Sequence, residues 1–253
     1  MKKFQGFSAV GVILGLVAII LLGAGIFAVI DGNNRAAELR KYDFYSVIEP
    51  TASNGMIGDH VKGNPDAPVL IFEYADYQCP ACASMNKRIN KIVEESDGKL
   101  AVVYRNFLLS YHQNGTAAAA AAEAAGLQGY WKEYADKLFS KQAEWEYASA
   151  SERTEYFNKY FVEVTNGEGD IDKFNQDIAS EAVFKKISFD MKIAQRAGVA
   201  GTPMFYVDGQ LIDLTNKQGG SVTVNGEVIS WDSAQSGDKF AELLKRIIEV
   251  KTR

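Results

Sequence analysis

The sequence predicts an α/β fold that carries a helical insertion and follows one N-terminal transmembrane helix. Three observations support this. Residues 69–107 read as strand, helix, strand. Residues from about 116 to 197 read as helices throughout. Residues 201–250 return to strands and close on an amphipathic helix.

Lys2 and Lys3 precede an uncharged, mostly apolar run from Gly6 to Ile30. As a helix this run is roughly 37 Å long at ~1.5 Å per residue. It can therefore span a hydrocarbon core of ~30 Å with some tilt. The alternative is a cleaved signal peptide, whose apolar region is typically about 7–15 residues. Gly23-Ala24-Gly25 is the best small-residue site for such a cleavage, and it is weak. We favour an uncleaved anchor at 1–30. Lys2 and Lys3 point to a cytoplasmic N-terminus, while Arg35, Arg40 and Lys41 argue weakly against it. A single hydrophobic segment ahead of a large folded domain exports that domain. Residues 31–55 read as a stalk and linker, with 50–55 (Pro-Thr-Ala-Ser-Asn-Gly) as loop chemistry. The folded domain is expected over 56–253.

Within the domain, 57–61 reads as a short edge strand and 63–68 as a turn rich in Gly, Asn and Pro. Residues 69–74 form the central strand candidate. A helix then runs to about Glu95, with Cys82, Met85, Ile89, Ile92 and Val93 at spacings of three and four. Asp97-Gly98 ends it, and 99–107 is a second strand. Strand, helix, strand implies a parallel pair with a crossover helix. The helical insertion is expected over about 113–197. Ala117–Ala122 has strong helix propensity, and the aromatic stripes Tyr130/Tyr134 and Tyr156/Tyr160 read as core. Asp170 caps a short helix through Ile178, and a longer one from Glu181 ends at Gly198. Residues 201–207 form a strand that turns at Asp208-Gly209 onto an antiparallel partner at 210–214. Asn225-Gly226 joins 221–224 to 227–231 in a hairpin. Residues 236–250 form the last helix.

The chemistry concentrates at Asp76-Tyr77-Gln78-Cys79-Pro80-Ala81-Cys82, which holds both cysteines of the 253-residue chain. A Cys-x-x-Cys between strand and helix reads as redox chemistry. Cys79 opens the helix, with Pro80 at the first helical position. Unpaired N–H groups and the positive end of the helix dipole then face its sulfur. A thiolate is favoured there, with a pKa that can fall from ~8.5 into a range of about 3.5–7.5. Cys82, one turn further in, is shielded. Half a zinc site and a static disulfide are the other readings. A structural zinc site takes four ligands, and the histidines, His60 and His112, are each distant in sequence. A bridge closing so short a loop restrains the unfolded chain little. Redox use is favoured over both, with no metal and no cofactor. The net charge of −5 leaves no electrostatic footprint for nucleic acid.

Three blocks resemble the DsbA-like thiol:disulfide oxidoreductases, in particular the membrane-anchored members of Gram-positive and related bacteria. They are Gly63-Asn64-Pro65-Asp66-Ala67-Pro68-Val69 leading to the Cys79–Cys82 motif; Arg105-Asn106-Phe107-Leu108-Leu109 with His112 and the alanine helix; and Ala197-Gly198-Val199-Ala200-Gly201-Thr202-Pro203. The resemblance runs from about His60 to the C-terminus. It implies a thioredoxin fold interrupted by a helical subdomain. It implies a cis Thr202–Pro203 bond, where the residue pattern alone reads as an ordinary trans proline starting a strand. Substrate peptide would bind at Thr202, Pro203, Pro80 and Ala81, with the Thr202 backbone pairing to an extended segment. Glu73, six residues before Cys79, stands where the family often buries an acid that exchanges a proton with the resolving cysteine; the other reading is a glutamate on a solvated strand face. His112 reads as a capping or loop residue. Two features depart from the family: Pro80-Ala81 lacks the imidazole of the Pro-His pair in the strongly oxidising DsbA, and the 217–231 hairpin is extra material.

With the resemblance, the favoured reading is an oxidase. The N-terminal segment places it on the extracytoplasmic side of a bacterial cell membrane as a single-pass protein. Nothing strongly suggests a dimerisation element, so a monomer is the default. Its substrates would be exported proteins bearing cysteine pairs. A quinone-linked membrane partner, DsbB-like or vitamin K epoxide reductase-like, would reoxidise the pair. A reductase or isomerase of the same fold, and an exported peptide-binding or chaperone module whose disulfide does not turn over, are the alternatives.

Overall fold

A computed structural model describes residues 39–214, 216, 218–232 and 237–253. The expected transmembrane helix, and with it the 1–30 anchor, lies outside the described residues. Among the described residues no helix is long and apolar enough to cross a membrane. The chain divides into two compact units, Met1–Asp43 and Phe44–Arg253. Of the first, residues 39–43 are described, with a turn in which Tyr42 N donates to Leu39 O.

The second unit runs β1 (His60–Lys62), β2 (Val69–Ala75), α1 (Pro80–Glu95) and β3 (Leu100–Asn106). Six helices follow: α2 (Gly115–Gly126), α3 (Trp131–Ser140), α4 (Gln142–Trp145), α5 (Ala150–Val164), α6 (Ile171–Ile178) and α7 (Glu181–Arg196). The chain ends with β4 (Met204–Val207), β5 (Gln210–Ile212), β6 (Gly220–Val224), β7 (Glu227–Trp231) and α8 (Gly237–Lys251). The main sheet has the order β1-β3-β2-β4-β5. Only β2 and β3 pair in parallel within it, joined by α1 as the crossover.

Local signals explain the helix starts. Ser149 and Glu152 form a capping box at α5. Asp170 and Ser180 each accept a backbone N–H at the starts of α6 and α7. In α2 the alanines from Ala118 to Ala122 are buried. Side chains that small let neighbouring helices approach the α2 backbone closely.

Side chains two apart along a strand share a face. Val69 and Ile71 on β2, with Leu100 and Val102 on β3, pack with α1, α8 and the β6–β7 hairpin. Further along the same faces, Ala75 and Tyr104 join a second cluster, formed with the inserted helices, that contains both cysteines. Glu73 lies between, in register with Tyr104.

Three elements differ from expectation. The edge strand is β1 at 60–62, because its partners are Tyr104, Val103 and Val102 of β3. Residues 44–55, read as linker, are packed onto the domain. Arg105 on β3 donates to the carbonyls of Phe44 (2.5 Å) and Ser46 (2.8 Å), and Ile48 and Asn54 are buried. Gly55 meets α7 so closely that a Cβ there would lie 2.1 Å from Ala182 O. A linker composition carries no trace of contacts made this far away in sequence. The β6–β7 hairpin is part of the core, with Val222, Val224 and Ile229 buried. Asn225 and Gly226 both have positive φ, 48° and 81°, as the tight turn requires. The Gln210 side chain bonds both the N–H and the C=O of Thr223, tying β5 to β6.

Candidate active site

The turn leading into α1 is fixed from inside and outside. The Asp76 carboxylate accepts from Gln78 N at 2.9 Å, an Asx-type turn. The Asp76 carbonyl accepts from Cys79 N at 3.0 Å. The inserted helices clamp the same residues. Gln142 Nε2 donates to Tyr77 O, and Trp131 Nε1 to the Tyr77 hydroxyl. Gln78 donates to Glu146 O and accepts from Asn114 N, each at 2.7 Å. The helical subdomain therefore holds the cysteine turn in place.

Cys79 is the N-cap of α1, with Pro80 next. Both cysteines are free thiols. Cys79 is 6% exposed and Cys82 fully buried. The Thr202–Pro203 bond is cis, and the Cys79 thiol donates to Thr202 O at 3.5 Å. Pro80 and Ala81 are exposed and Thr202 and Pro203 half-buried, forming a rim around Cys79. Cys79, Cys82, Thr202 and Pro203 thus meet where α1 starts and β4 begins, and Glu73 lies within the β2–β4 ladder opposite Phe205.

The two sulfurs are driven apart in acidity. Cys79 is lowered to about 5. A hydrogen bond from the Cys82 thiol is the largest cause, burial opposes it, and the Thr202 side chain and the amides of Cys82 and Ala81 add to the lowering. Ala81 contributes through its backbone N–H rather than its side chain. The Thr202 hydroxyl is buried with no other hydrogen-bond partner among the described residues. Burial pushes Cys82 well above the ordinary thiol value, with Cys79 and Glu73 adding to it.

Glu73 is 2% exposed, not on a solvated strand face. Burial raises its pKa to about 7; Lys62 opposes this, and Asp136 and Cys79 add to it. Lys62, from β1, is itself 1% exposed. It donates to Asn86, to Asn90 (3.1 Å) and to Asp136 (2.9 Å). Asn86, Asn90 and Asp136 line a solvent-open cleft. Sequence reading missed Lys62, because a lysine on a three-residue edge strand gives no sign of pointing inward. It also missed the pairing of His112 with Asp76, at 2.8 Å. His60 is likewise occupied, bonding the buried Glu123 at 2.7 Å while stacked on Trp131.

The sequence matches the family described as Thioredoxin over residues 56–244. The chain belongs to the thioredoxin family. Its fold is that of the DsbA-like thiol-disulfide oxidoreductases within it. BdbD of Bacillus subtilis, in its oxidised crystal structure, superposes with a TM-score of 0.58 at 18% identity, covering 81% of this chain and 98% of BdbD. Wolbachia pipientis α-DsbA1 gives 0.57 at 22% identity, covering 79% and 98%. Proteus mirabilis ScsC, in a transitional conformation, gives 0.58 at 12% identity, covering 92% and 91%. Curated relatives of a different kind also match. The Na(+)/H(+) antiporter NhaA 1 of Mycolicibacterium gilvum is 34% identical over 155 residues, 60% of this chain and 24% of the antiporter. NhaA of Herminiimonas arsenicoxydans is 32% identical over 203 residues, 80% of this chain and 30% of the antiporter. This chain thus spans less than a third of the length of those two relatives.

Proposed function

We propose that this thioredoxin-family chain is an extracytoplasmic protein dithiol oxidase, tethered to a bacterial membrane by residues 1–30. The observation that carries this is the setting of the pair: Cys79 caps α1 against Thr202 O beside the cis Thr202–Pro203 bond, and Cys82 is fully buried behind it. That setting lowers Cys79 to about 5 and pushes Cys82 well above the thiol norm. A stabilised Cys79 thiolate favours the reduced protein, which makes its disulfide a good electron acceptor.

The cycle balances as follows. A substrate thiolate attacks Cys79 in the Cys79–Cys82 disulfide. The Cys79–Cys82 bond breaks, a substrate–Cys79 mixed disulfide forms, and Cys82 leaves. Cys82 takes a proton from Glu73, since its own pKa keeps it a thiol. A second substrate thiolate attacks the substrate sulfur, and Cys79 departs as a thiolate. The substrate gains a disulfide, and the protein is left as the dithiol seen here. Cysteine-bearing exported proteins are the substrates, held as extended segments along Thr202 and Pro203 beside Pro80 and Ala81. A quinone-linked membrane protein, DsbB-like or vitamin K epoxide reductase-like, restores the disulfide. The protein works as a monomer.

Glu73 runs the reverse proton movement when Cys82 attacks a mixed disulfide. Glu73→Gln is expected to slow that release on the order of 10²-fold. The wild-type rate should climb through about pH 7 as Glu73 ionises, and the variant should lose this limb. Stopped-flow release of a model peptide between pH 5 and 9 reads both; equal rates and profiles would remove Glu73 from the mechanism. Stability gives a second reading. Glu73 ionises near 4.5 unfolded and about 7 folded, so its burial costs nothing below pH 4.5. The cost grows as pH rises and is complete above pH 7, at about 3 kcal/mol. Glu73→Gln should therefore melt higher than wild type at pH 8 and equally at pH 4.

A further inference from the structure

We infer that His112 is a positioning residue for the redox pair, acting through the Asp76 carboxylate on the turn whose backbone contacts both cysteines. The inference rests on Cys79 and Cys82 being the reactive pair, as proposed above, but not on the direction of electron flow.

Asp76 touches both sulfur-bearing residues by its main chain. Its carbonyl accepts the Cys79 N–H at 3.0 Å. A backbone hydrogen bond from Asp76 acts on Cys82 in the lowering direction, against the burial that dominates there. The Asp76 side chain is fully buried and is held by three donors. Gln78 N reaches Oδ1 at 2.9 Å. Leu109 N and His112 Nδ1 reach Oδ2 at 2.9 and 2.8 Å. A carboxylate only accepts, so Nδ1 is the donating nitrogen. Two of these donors belong to the 107–114 loop, and the same carboxylate also bonds within the cysteine turn. The carboxylate is therefore the joint between that loop and the turn.

The joint is closed against substitutes. A Cβ on Gly115 would lie 2.9 Å from Asp76 Oδ1 and 3.3 Å from His112 Cβ, so the first residue of α2 packs directly over it. The His112 side chain is 11% exposed. Its outer side meets Tyr111 edge-on, with ring centroids 4.6 Å apart. Removing the imidazole leaves a buried acceptor short of a donor, which a folded protein relieves by moving the group. Any such movement is passed to Cys79 N and Cys82 through the backbone of Asp76.

Three full-chain variants test this: His112→Ala, His112→Leu, which fills the space without a donor, and His112→Asn, whose side-chain amide stands in for Nδ1–H. The thiolate absorbance of the reduced protein is followed against pH, its dithiol–disulfide equilibrium is measured against glutathione, and thermal melting is recorded alongside. The Ala and Leu variants are expected to weaken Cys79 as an acid by about three- to tenfold and to shift the equilibrium toward the disulfide by a similar factor. His112→Asn is expected to restore most of both. The inference is overturned if the folded variants titrate and equilibrate as wild type while melting lower, which is the mark of a purely structural histidine. It is equally overturned if Asn and Leu behave alike. If His112→Ala does not fold, the Leu–Asn contrast decides. A thiol titration requires no turnover, so this result is independent of whether the protein oxidises or reduces its substrates.

Discussion

Cys79→Ser is expected to take dithiol oxidation to background, because it removes the more exposed cysteine of the pair. Cys82→Ser is expected to behave differently. It keeps the low-pKa nucleophile and loses the group that resolves it, so it should accumulate mixed disulfides with cysteine-bearing proteins. The asymmetry follows from exposure and acidity together: Cys79 is 6% exposed and lowered to about 5, while Cys82 is fully buried and raised. Non-reducing gels of each variant, incubated with a reduced substrate protein, separate the two outcomes. Equal trapping by both variants would contradict the assignment of roles. So would activity that survives Cys79→Ser, which is the outcome a peptide-binding module without turnover predicts.

The largest stability effect is expected at Asp59. Its carboxylate bonds Arg105 at 2.6 Å and Lys186 at 3.2 Å, and all three side chains are fully buried. Lys186 also pairs with the buried Asp190 at 2.7 Å, and Asp190 accepts from the Asn106 backbone. Arg105 packs over the Phe72 and Tyr74 rings and holds the carbonyls of Phe44 and Ser46. Asp59 also accepts the Ile48 N–H at 2.9 Å, so the same cluster holds residues 44–48 on the domain. Asp59→Asn leaves the buried Arg105 without a counter-charge, while Lys186 keeps Asp190, and is expected to cost roughly 3–5 kcal/mol. The exposed pair Lys91–Glu95, 3.6 Å apart, provides the control: Lys91→Ala should change stability by about 0.5 kcal/mol or less. Burial pushes the Asp59 carboxyl up, but Lys186 and then Arg105 outweigh it and hold it below the usual value of 3.8. Its contribution is therefore present above that pH and lost only as pH falls through the depressed folded value. Urea unfolding at pH 7 measures the substitution directly, and a loss near that of the Lys91 control would refute the role given to the cluster.

The parts of the molecule legible in the sequence are those whose signals are local. The β2–α1–β3 run, the alanine helix and the Asp170 cap follow from periodicity, propensity and turn residues close together in the chain. The Asn225-Gly226 turn follows in the same way. Cys79 and Cys82 were legible because cysteine pairs at that spacing have few uses. The cis bond before Pro203 was reached through the family resemblance, since Thr-Pro at a strand start reads equally as trans. What could not be read is every contact that joins distant segments. Lys62 and Glu73 share a buried site only because β1 pairs across β3 to reach it. Residues 44–48 fall before the loop chemistry of 50–55 and read as part of a stalk, and only a buried arginine more than fifty residues away shows that they belong to the domain. His112 looked like a loop residue because its partner, Asp76, lies on the other side of a strand and a helix.

The most direct test of the central claim is an equilibrium redox titration of the full chain against a glutathione buffer. The strong oxidants stand near −120 mV and thioredoxin near about −270 mV. With Cys79 held near 5, the measured potential is expected closer to the oxidising end. A value at the thioredoxin end would contradict the oxidase assignment and point instead to a protein kept reduced by a membrane electron donor.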